Sequence, residues 1–349
     1  MIDNENMITV HSVVTHPAKD INKNPWVVAN GVQSLIDKVS AGKYEPIPTG
    51  VENFDRILGG GFIAEQLVGI SGRPGAGKTA FGQWLTESMA LNSDDYSCLY
   101  FCYEMSREQL QARSISRLLY GLGKNLTPLE VLRGKDGWRE GAEIYAKLYA
   151  EKVLYVGMGN GIGDVTLETL EKTYRKFADY NKRQGKPSPI FVVDYLQLVS
   201  VAGCDEKEAI SEVMARIKGL AVEYNTVGLV VLANNRESNK TSTKTNKTDD
   251  DADMFSGRGS SSIEYGLDAM LALLPNETEA NNHSKNVTVT LKVVKGRWVE
   301  YKASASFKFN GKHMSYIPVD CAGEVLTPRE QKVATDLYNM MENETKLFK

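Results

Sequence analysis

Residues 67–92 read LVGISGRPGAGKTAFGQWLTESMALN. The stretch begins with a short apolar run at residues 67–70, passes through a glycine-rich turn that matches G-x-x-x-x-G-K-[ST] over Gly72–Thr79, and ends in a helix-like segment. Glycines in such a turn let backbone N–H groups converge on phosphate oxygens, and the N-terminus of the following helix adds its dipole. The sequence therefore predicts a phosphate-binding loop between a buried strand and a helix.

The residues of this turn form the predicted nucleotide-binding set. Lys78 is expected to reach the β- and γ-phosphates of ATP, and Thr79 to bind the accompanying Mg²⁺ ion. The set runs through the turn and into the helix as Gly72, Arg73, Pro74, Gly75, Ala76, Gly77, Lys78, Thr79 and Ala80. A chance glycine-rich turn is the alternative, and the flanking strand and helix argue against it.

Two carboxylates are predicted to complete the site. Asp194 follows the apolar run IFVV, where it can bind Mg²⁺ directly or through water. Glu104 follows the run CLYFCY, and open α/β sheets bind ligands at the carboxyl ends of their strands. Each alone could be a solvated acid at a strand end. Beside a complete phosphate loop, we predict that Asp194 belongs to the metal and nucleotide site and that Glu104 orients and deprotonates the attacking water.

Short apolar runs alternate with longer helical segments across most of the chain. The runs are β-branched and hydrophobic on both faces, which is typical of buried parallel strands. The predicted strands are residues 67–70, 98–102, 153–156, 190–193 and 227–233, and the predicted helices are residues 78–92, 107–120, 165–181 and 206–224. Beyond Asp268, four runs follow closely without helices, at residues 270–274, 287–294, 301–309 and 314–319. The predicted fold is α/β, with a mostly parallel twisted sheet flanked by helices and antiparallel strands at the C-terminal edge.

The composition excludes several classes of protein. The 349 residues carry a formal net charge of −3 and 42% hydrophobic residues, which is ordinary for a globular chain and excludes a general basic coat for nucleic acid. No apolar run approaches the roughly 18 to 20 residues of a membrane span. Four cysteines without a CxxC pair do not make a disulfide scaffold. A cytoplasmic protein without a membrane partner is predicted.

Several motifs occur in order along the chain. They are PTGVENFDRILGGG at residues 48–61, EMSREQL at residues 104–110, DYLQL at residues 194–198, and SSSIE at residues 260–264 followed by Asp268. Together they make the segment from about Ile47 to Pro318 resemble the C-terminal motor domain of the DnaB family of replicative helicases, a RecA-like fold of P-loop NTPases. Related RecA-like ATPases share the first motif, whereas the other three are more telling of the DnaB family.

The resemblance implies an ATP-dependent DNA helicase that assembles as a hexameric ring and moves along single-stranded DNA. It implies that Lys295 and Arg297 occupy the position of a family pair that reaches the γ-phosphate bound by the neighbouring subunit, so that each active site lies between two subunits. It aligns Asn234 with the family's nucleotide-sensing glutamine, although the asparagine side chain is shorter. After Arg297 the chain reads WVE instead of the family's Asn-Gly-Pro.

A long polar segment lies between the motifs. Residues 237–253 read ESNKTSTKTNKTDDDAD, and such a segment is predicted to be a mobile loop because it cannot bury enough apolar surface to offset its ordering entropy. Lysines spaced by Ser, Thr and Asn suit contacts with DNA phosphates. The predicted DNA-binding residues are Arg236, Lys240, Lys244, Lys247 and Arg258, of which the resemblance favours the last. The loop carries five acids against three lysines, so a solvated linker is an equal alternative.

The chain divides into three predicted parts. These are an N-terminal extension at residues 1–45 with a linker-type helix at about residues 26–41, the motor domain at residues 46–320, and a C-terminal helical tail at residues 321–349. An apolar stripe at helical spacing, expected to pack either on its own domain or on a neighbouring subunit, comprises Val28, Val32, Leu35, Ile36 and Val39. Full-length relatives have an N-terminal domain that engages primase, and only about 45 residues precede the motor here. A primase and a helicase loader are candidate partners.

Two other functions stay open at this point. A DNA-dependent ATPase of the RecA, RadA or KaiC kind would form filaments or rings without unwinding DNA, and the EMSREQL and DYLQL motifs argue against it. A helicase-like adaptor that binds ATP but hardly hydrolyses it is supported by Asn234 and by the short N-terminal extension.

Overall fold

The computed structural model describes residues 28–149, 152–157, 166–233, 260–282, 284–300 and 302–319, together with residues 332, 335 and 336. The chain divides into two compact units, Met1–Glu45 and Pro46–Lys349. Helix α1, Val28–Ser40, belongs to the first unit, and the sheet belongs to the second. The predicted C-terminal helical tail lies almost entirely outside the described residues, and so does the predicted polar loop at residues 237–253.

A single sheet of nine strands organises the described part of the second unit. The strands are β1 Leu67–Ser71, β2 Cys98–Cys102, β3 Val153–Gly157, β4 Ile190–Asp194, β5 Gly228–Val231, β6 Ala269–Pro275, β7 Val287–Gly296, β8 Ser304–Asn310 and β9 Ser315–Pro318. Their spatial order is β3-β2-β4-β5-β1-β6-β7-β8-β9, with parallel pairs from β3 to β6 and antiparallel pairs from β6 to β9. The predicted α/β fold is confirmed, including its antiparallel C-terminal edge.

Helices surround this sheet. They are α2 Glu52–Ile57, α3 Lys78–Asn92, α4 Arg107–Gly121, α5 Pro128–Leu132, α6 Trp138–Tyr149, α7 Leu167–Arg183, α8 Glu206–Glu223, α9 Ser260–Gly266 and α10 Glu277–Asn281. The four predicted helices correspond to α3, α4, α7 and α8 and agree with them to within about two residues at each end, which is the usual uncertainty of a helix boundary. No helix within the described ranges is both long enough and apolar enough to cross a membrane.

Five of the described helices, α2, α5, α6, α9 and α10, differ from the prediction. The sequence patterns do not predict α2, α5, α6 or α9, although the buried Ile144 and Leu148 of α6 share one helical face. The expectation that the strands beyond Asp268 follow without helices is wrong, because α10 lies between β6 and β7. Helix α10 is only five residues long, and its N-cap Asn276 accepts a hydrogen bond from the Glu279 N–H. A helix this short leaves no periodicity for a sequence pattern to detect.

Aromatic rings attach helix α3 to the antiparallel edge of the sheet. The ring of Phe81 lies 5.2 Å from that of Tyr316 and 5.8 Å from that of Phe307, measured between centroids. The ring of Trp84 lies 5.6 Å from each of the same two rings. Such pairs contribute about 0.5–1.5 kcal/mol each beyond their buried area. The helix that starts at the phosphate loop is therefore fixed to strands β8 and β9.

A buried ion pair joins helix α3 to helix α4. Glu87 and Arg117 are both almost fully buried, and the guanidinium Nη2 donates to Glu87 Oε2 at 2.7 Å. Tyr155 on β3 donates its hydroxyl to the other carboxylate oxygen at 2.5 Å, and Ser114 on α4 also donates to it. A buried charge is tolerated where it is paired and hydrogen-bonded, as it is here. The network holds α4 in a defined position beside the phosphate-loop helix.

Candidate active site

A cavity of about 880 Å³ lies at the carboxyl ends of the parallel strands. Its wall includes Lys78 and Thr79 after β1, Glu104 after β2, Asp194 at the end of β4, and Ala233 after β5. These residues come from four different strands, and the parallel sheet brings their ends to one edge. The predicted phosphate loop and both predicted carboxylates therefore share one pocket.

Two glycines give the phosphate loop its shape. Gly75 and Gly77 have φ angles of 82° and 88°, in the left-handed region that favours glycine. A Cβ atom on Gly77 would lie 2.4 Å from the Tyr316 hydroxyl, which is too close for any side chain. Helix α3 begins directly afterwards at Lys78. The turn thus delivers the positive end of a helix dipole to the cavity, as anion binding requires.

Lys78 lies within the curve of the loop. Its Nζ donates to the carbonyl oxygen of Gly72 at 2.8 Å and to that of Arg73 at 3.3 Å. Burial lowers the pKa of Lys78, and the negative charges of Asp194 and Glu104 oppose that shift. An ammonium group held among carbonyl oxygens and facing two carboxylates suits a site that accepts phosphate oxygens.

Asp194 is the most buried carboxylate of the pocket. Its side chain is inaccessible to solvent, and it accepts hydrogen bonds from Tyr100 Oη at 2.8 Å and from Thr79 Oγ1 at 3.3 Å. Burial raises the pKa of Asp194 to about 6, although both hydrogen bonds act in the opposite direction. A carboxylate in this position carries charge that only a cation can compensate well.

The residues present fit a Mg²⁺ site. Magnesium prefers oxygen ligands from one or two protein groups together with substrate phosphates and water. The Thr79 hydroxyl and the Asp194 carboxylate lie next to each other in the pocket and are both hard oxygen donors. The buried negative charge of Asp194 supplies the electrostatic reason for a cation to bind there.

Replacing Asp194 with asparagine is expected to stabilise the nucleotide-free protein by about 1 kcal/mol at pH 7.5. The raised pKa means that the folded state holds a proton more tightly than the unfolded state does, so wild-type stability falls as the pH rises from about 4 to about 6. A shift of about two pKa units sets an upper limit near 3 kcal/mol on the stability that the variant can gain. The asparagine amide is a poorer hydrogen-bond match than the carboxylate, and this mismatch reduces the gain. Thermal unfolding between pH 4 and pH 7.5 measures the difference.

The exposed Asp136 provides the matched control for that measurement, since Asp136→Asn changes a carboxylate outside the pocket. The melting temperature of this variant should follow that of the wild-type protein at every pH. A melting temperature of Asp194→Asn below the wild-type value at pH 7.5, or a difference that does not shrink towards pH 4, contradicts the expected cost of burying this charge.

Glu104 lies at the solvent-facing side of the same pocket. It follows β2 by two residues and is exposed, in contrast to Asp194. The preceding Tyr103 donates its N–H to the Asp194 carbonyl oxygen at 2.8 Å, which holds the ends of β2 and β4 together. Glu104 thus occupies a fixed backbone position with its carboxylate accessible to water, as a general base needs.

The structure adds pocket residues that sequence reasoning missed. Gln109 and Arg113 line the cavity from helix α4, four residues apart and therefore on one helical face. Arg113 is close enough to Asp194 for its positive charge to oppose the rise in the aspartate pKa. Phe309 and Met314, from β8 and the turn after it, also line the cavity. Helical spacing after the EMSREQL motif could have indicated Arg113, whereas the β8–β9 turn carries no local signal.

Not every residue of the predicted loop set lines the cavity. Those that do are Pro74, Gly75, Gly77, Lys78, Thr79 and Ala80. Arg73 turns away, because its guanidinium pairs with Glu277 of α10 at 2.6 Å. Ala76 is buried and accepts a hydrogen bond from Tyr316 through its carbonyl oxygen, and Gly72 contributes the carbonyl oxygen that holds Lys78. These three residues shape the loop from behind the pocket.

Lys295 and Arg297 lie near the start of β1, at the ends of the parallel strands opposite the pocket. Strand β7 runs antiparallel to β6, so that Gly296 pairs with Ala269, which in turn pairs with Val68 near the start of β1. The phosphate loop follows the far end of the same strand. A five-residue strand spans roughly 15 Å at about 3.3 Å per residue. Neither basic residue lines the pocket of its own chain.

The remaining predicted residues lie outside the described part of the chain. They are Asn234, Arg236, Lys240, Lys244, Lys247 and Arg258. The residue before Asn234 is described, and Gln197 holds it by two hydrogen bonds. The side-chain amide of Gln197 donates to the Ala233 carbonyl oxygen at 3.1 Å and accepts from the Ala233 N–H at 3.1 Å. The DYLQL segment thus anchors the chain at the point where it leaves β5 along the pocket wall.

The fold and this site together define a class of protein. A phosphate loop after a central parallel strand, with a buried carboxylate at the end of another strand, is the arrangement of a RecA-like P-loop nucleoside triphosphatase. The family model for the DnaB-like helicase C terminal domain matches residues 46–317, and the chain belongs to this family.

One curated relative agrees with that assignment, and two solved structures agree with the fold. The replicative DNA helicase DnaB of Helicobacter pylori, strain 26695, is 33% identical over 193 residues, which cover 54% of this chain and 37% of the relative. The chain therefore spans less than half the length of this curated relative. A solved ATPase domain superposes with a TM-score of 0.66 at 18% identity, over 85% of this chain and 100% of that one. A DnaB-like replicative helicase, described with its interactions with primase, gives a TM-score of 0.64 at 20% identity, over 83% of this chain and 68% of that one.

Proposed function

We propose that this chain is the motor of an ATP-dependent replicative DNA helicase, which forms a hexameric ring and moves along single-stranded DNA. One observation carries the proposal: Lys78, Thr79, Glu104 and Asp194 line one pocket in a chain that belongs to the DnaB-like family. ATP hydrolysis requires a phosphate cradle, a metal site and a base that activates water. Separate side chains of this pocket supply each of the three.

Each side chain has a separate task in hydrolysis. Lys78 and the loop N–H groups bind the β- and γ-phosphates, and Thr79 and Asp194 hold Mg²⁺. When bound, Mg²⁺ neutralises negative charge on the phosphate oxygens. Glu104 accepts the proton of the attacking water, for which its exposed position at the pocket mouth is suited.

The site is completed by a second copy of the chain. Lys295 and Arg297 are at the sheet end opposite their own phosphate loop, roughly 15 Å of strand away. In a ring, that end can face the pocket of the adjacent subunit. Arg297 would then stabilise the charge that develops on the γ-phosphoryl oxygens, and Lys295 would assist it. Hydrolysis would thereby depend on how neighbouring subunits are arranged.

The DNA contacts and further partners are extensions of this proposal. Arg236, Lys240, Lys244, Lys247 and Arg258 stay the predicted contacts to DNA phosphates. A primase is a candidate partner, because a structural neighbour is described with its interactions with primase, and a helicase loader is another. A cytoplasmic location suits a protein that acts on replicating DNA.

Helix α1 is the proposed contact between subunits outside the active site. Four of its apolar side chains, Val32, Leu35, Ile36 and Val39, are exposed, with Leu35 at 51% and Val39 at 57% of their full surface. An amphipathic helix gains stability mainly by covering its apolar face. Of the two alternatives that the sequence leaves open, packing on its own domain or on a neighbouring copy, we propose the second for this helix.

Strand displacement from a forked duplex tests the proposed function. The protein is expected to release the labelled strand in the presence of ATP and Mg²⁺ and to fail with a non-hydrolysable ATP analogue. Glu104→Gln serves as a matched control, since it keeps the phosphate loop. ATP hydrolysis stimulated by single-stranded DNA, without strand release, would favour a RecA-like or RadA-like ATPase. Binding of ATP with hardly any hydrolysis would favour an adaptor.

A further inference from the structure

We propose that Asp268 is the positioning residue for Arg297, and that it links this arginine rigidly to the strand that carries the phosphate loop. The inference rests on the proposed shared active site and deepens it. It concerns how one subunit holds the group that it presents to the next subunit's nucleotide.

Asp268 holds Arg297 by its main chain and its side chain together. The Arg297 N–H donates to the Asp268 carbonyl oxygen at 2.9 Å, and the guanidinium Nη1 donates to Asp268 Oδ1 at 3.0 Å. The guanidinium Nη2 also donates to the Tyr265 carbonyl oxygen at 3.3 Å. These contacts use one side of the guanidinium, while 52% of the Arg297 side chain is exposed. The arginine is therefore anchored and still accessible to another molecule.

The same aspartate is bound to the first residue of β1. The Asp268 N–H donates to the Leu67 carbonyl oxygen at 2.8 Å, and the Leu67 N–H donates to Asp268 Oδ2 at 2.8 Å. Strand β1 continues without interruption from Leu67 to Ser71, and the phosphate loop begins at the next residue. A displacement of the phosphate loop that is transmitted through β1 would thus reach Arg297 by way of the buried Asp268.

The charges around Asp268 explain why an acid is needed there. Lys218 on α8 donates to Asp268 Oδ2 at 2.5 Å, and Arg297 pairs with the other oxygen. Lys295 approaches the end of α9, where its Nζ donates to the carbonyl oxygens of Glu264 and Leu267. Three cations therefore converge near one buried carboxylate. Without its charge, these cations would repel one another and Arg297 would lose its main anchor.

An anchored arginine is worth more to catalysis than a free one. An arginine side chain loses rotamer freedom when it is fixed, and a misplacement of about 1 Å in a reacting group can cost roughly 100-fold in rate. Fixing the side chain before the neighbouring nucleotide arrives avoids that loss at the moment of reaction. We therefore expect Asp268→Asn to lower ATP turnover by roughly 10- to 100-fold.

The experiment compares three single variants and one double variant of the full chain. Steady-state ATP turnover, with KM and kcat separated, and the Kd of a fluorescent ADP analogue are measured for Asp268→Asn, Arg297→Ala, the double variant Asp268→Asn/Arg297→Ala, and Lys218→Met. Lys218→Met is the matched control, because it removes the second ion pair of the same carboxylate and leaves Arg297 in place. Asparagine keeps an oxygen that can accept the Leu67 N–H.

We expect Asp268→Asn to lose kcat with an unchanged ADP Kd. The double variant should turn over ATP no more slowly than Arg297→Ala does. Lys218→Met should turn over ATP at nearly the wild-type rate. Wild-type turnover in Asp268→Asn, a further loss in the double variant, or an equal loss in Lys218→Met would each overturn the inference. If Asp268→Asn does not fold, Arg297→Lys takes its place, since lysine cannot make the forked contacts, and wild-type turnover there overturns the inference. Wild-type turnover of Arg297→Ala would instead show that the shared site itself is wrong.

Discussion

Glu104→Gln is expected to reduce ATP hydrolysis by about 10²- to 10⁴-fold while the Kd for ATP stays close to the wild-type value. The amide keeps the size of the side chain but cannot accept a proton from water. Lys78→Ala should act differently, because Lys78 lies inside the phosphate loop among carbonyl oxygens. Its removal takes away the cation that meets the phosphates, so that nucleotide binding itself should be lost.

Glu108→Gln is the matched control for this pair. Glu108 is an exposed glutamate of helix α4, four residues from Glu104 in sequence, and it does not line the pocket. Its hydrolysis rate and ATP Kd should equal those of the wild-type protein. Equilibrium binding of ATP and steady-state phosphate release measure the three variants. Wild-type phosphate release by Glu104→Gln would show that another group activates the water.

Arg297→Ala is expected to have a comparable or larger effect, because an arginine that acts across an interface contributes about 10³- to 10⁵-fold in rate where it has been measured. The position of Arg297 gives the physical reason. It lies beside Asp268 at the start of β1, and the phosphate loop follows the end of that strand. Truncation should therefore leave the subunit's own nucleotide site intact and remove charge stabilisation from the neighbouring one.

A mixing experiment separates the two halves of the site. Arg297→Ala protein retains an intact phosphate loop, and Lys78→Ala protein retains an intact arginine. Mixed assemblies contain interfaces that pair the two intact halves, and these are expected to recover part of the ATPase activity. Arg175→Ala is the control, since Arg175 pairs with Glu223 at the helical surface outside the pocket. Arg175→Ala protein keeps both its phosphate loop and its Arg297. Its ATPase activity in the mixture with Lys78→Ala should therefore equal the activity of the Arg175→Ala protein alone.

The local sequence was sufficient for the strands and helices that bear the phosphate chemistry. The G-x-x-x-x-G-K-[ST] turn, the run before it and the run after it correspond to β1, the loop and α3, because glycine requirements and hydrophobic periodicity are local properties. Asp194 and Glu104 could also be placed, since each directly follows an apolar run that becomes a strand. Parallel strands then bring such residues to a common edge.

Contacts between distant segments could not be predicted in the same way. Phe309 and Met314 reach the pocket only because β8 and β9 pack beside helix α3, more than 200 residues away in sequence. The role of Asp268 depends on the pairing of β6 with both β1 and β7. Its motif was visible in the sequence, but its contact with Arg297 required the antiparallel register of the last strands.

The central claim is that ATP bound by one subunit is hydrolysed with the help of an arginine from another. The most direct measurement is ATP turnover by Arg297→Ala, made beside its Kd for ATP and with single-stranded DNA present. We expect turnover to fall by at least about 10³-fold, with a Kd within a factor of about two of the wild-type value. Turnover at the wild-type rate, or a loss of turnover fully explained by weaker nucleotide binding, would contradict the shared site.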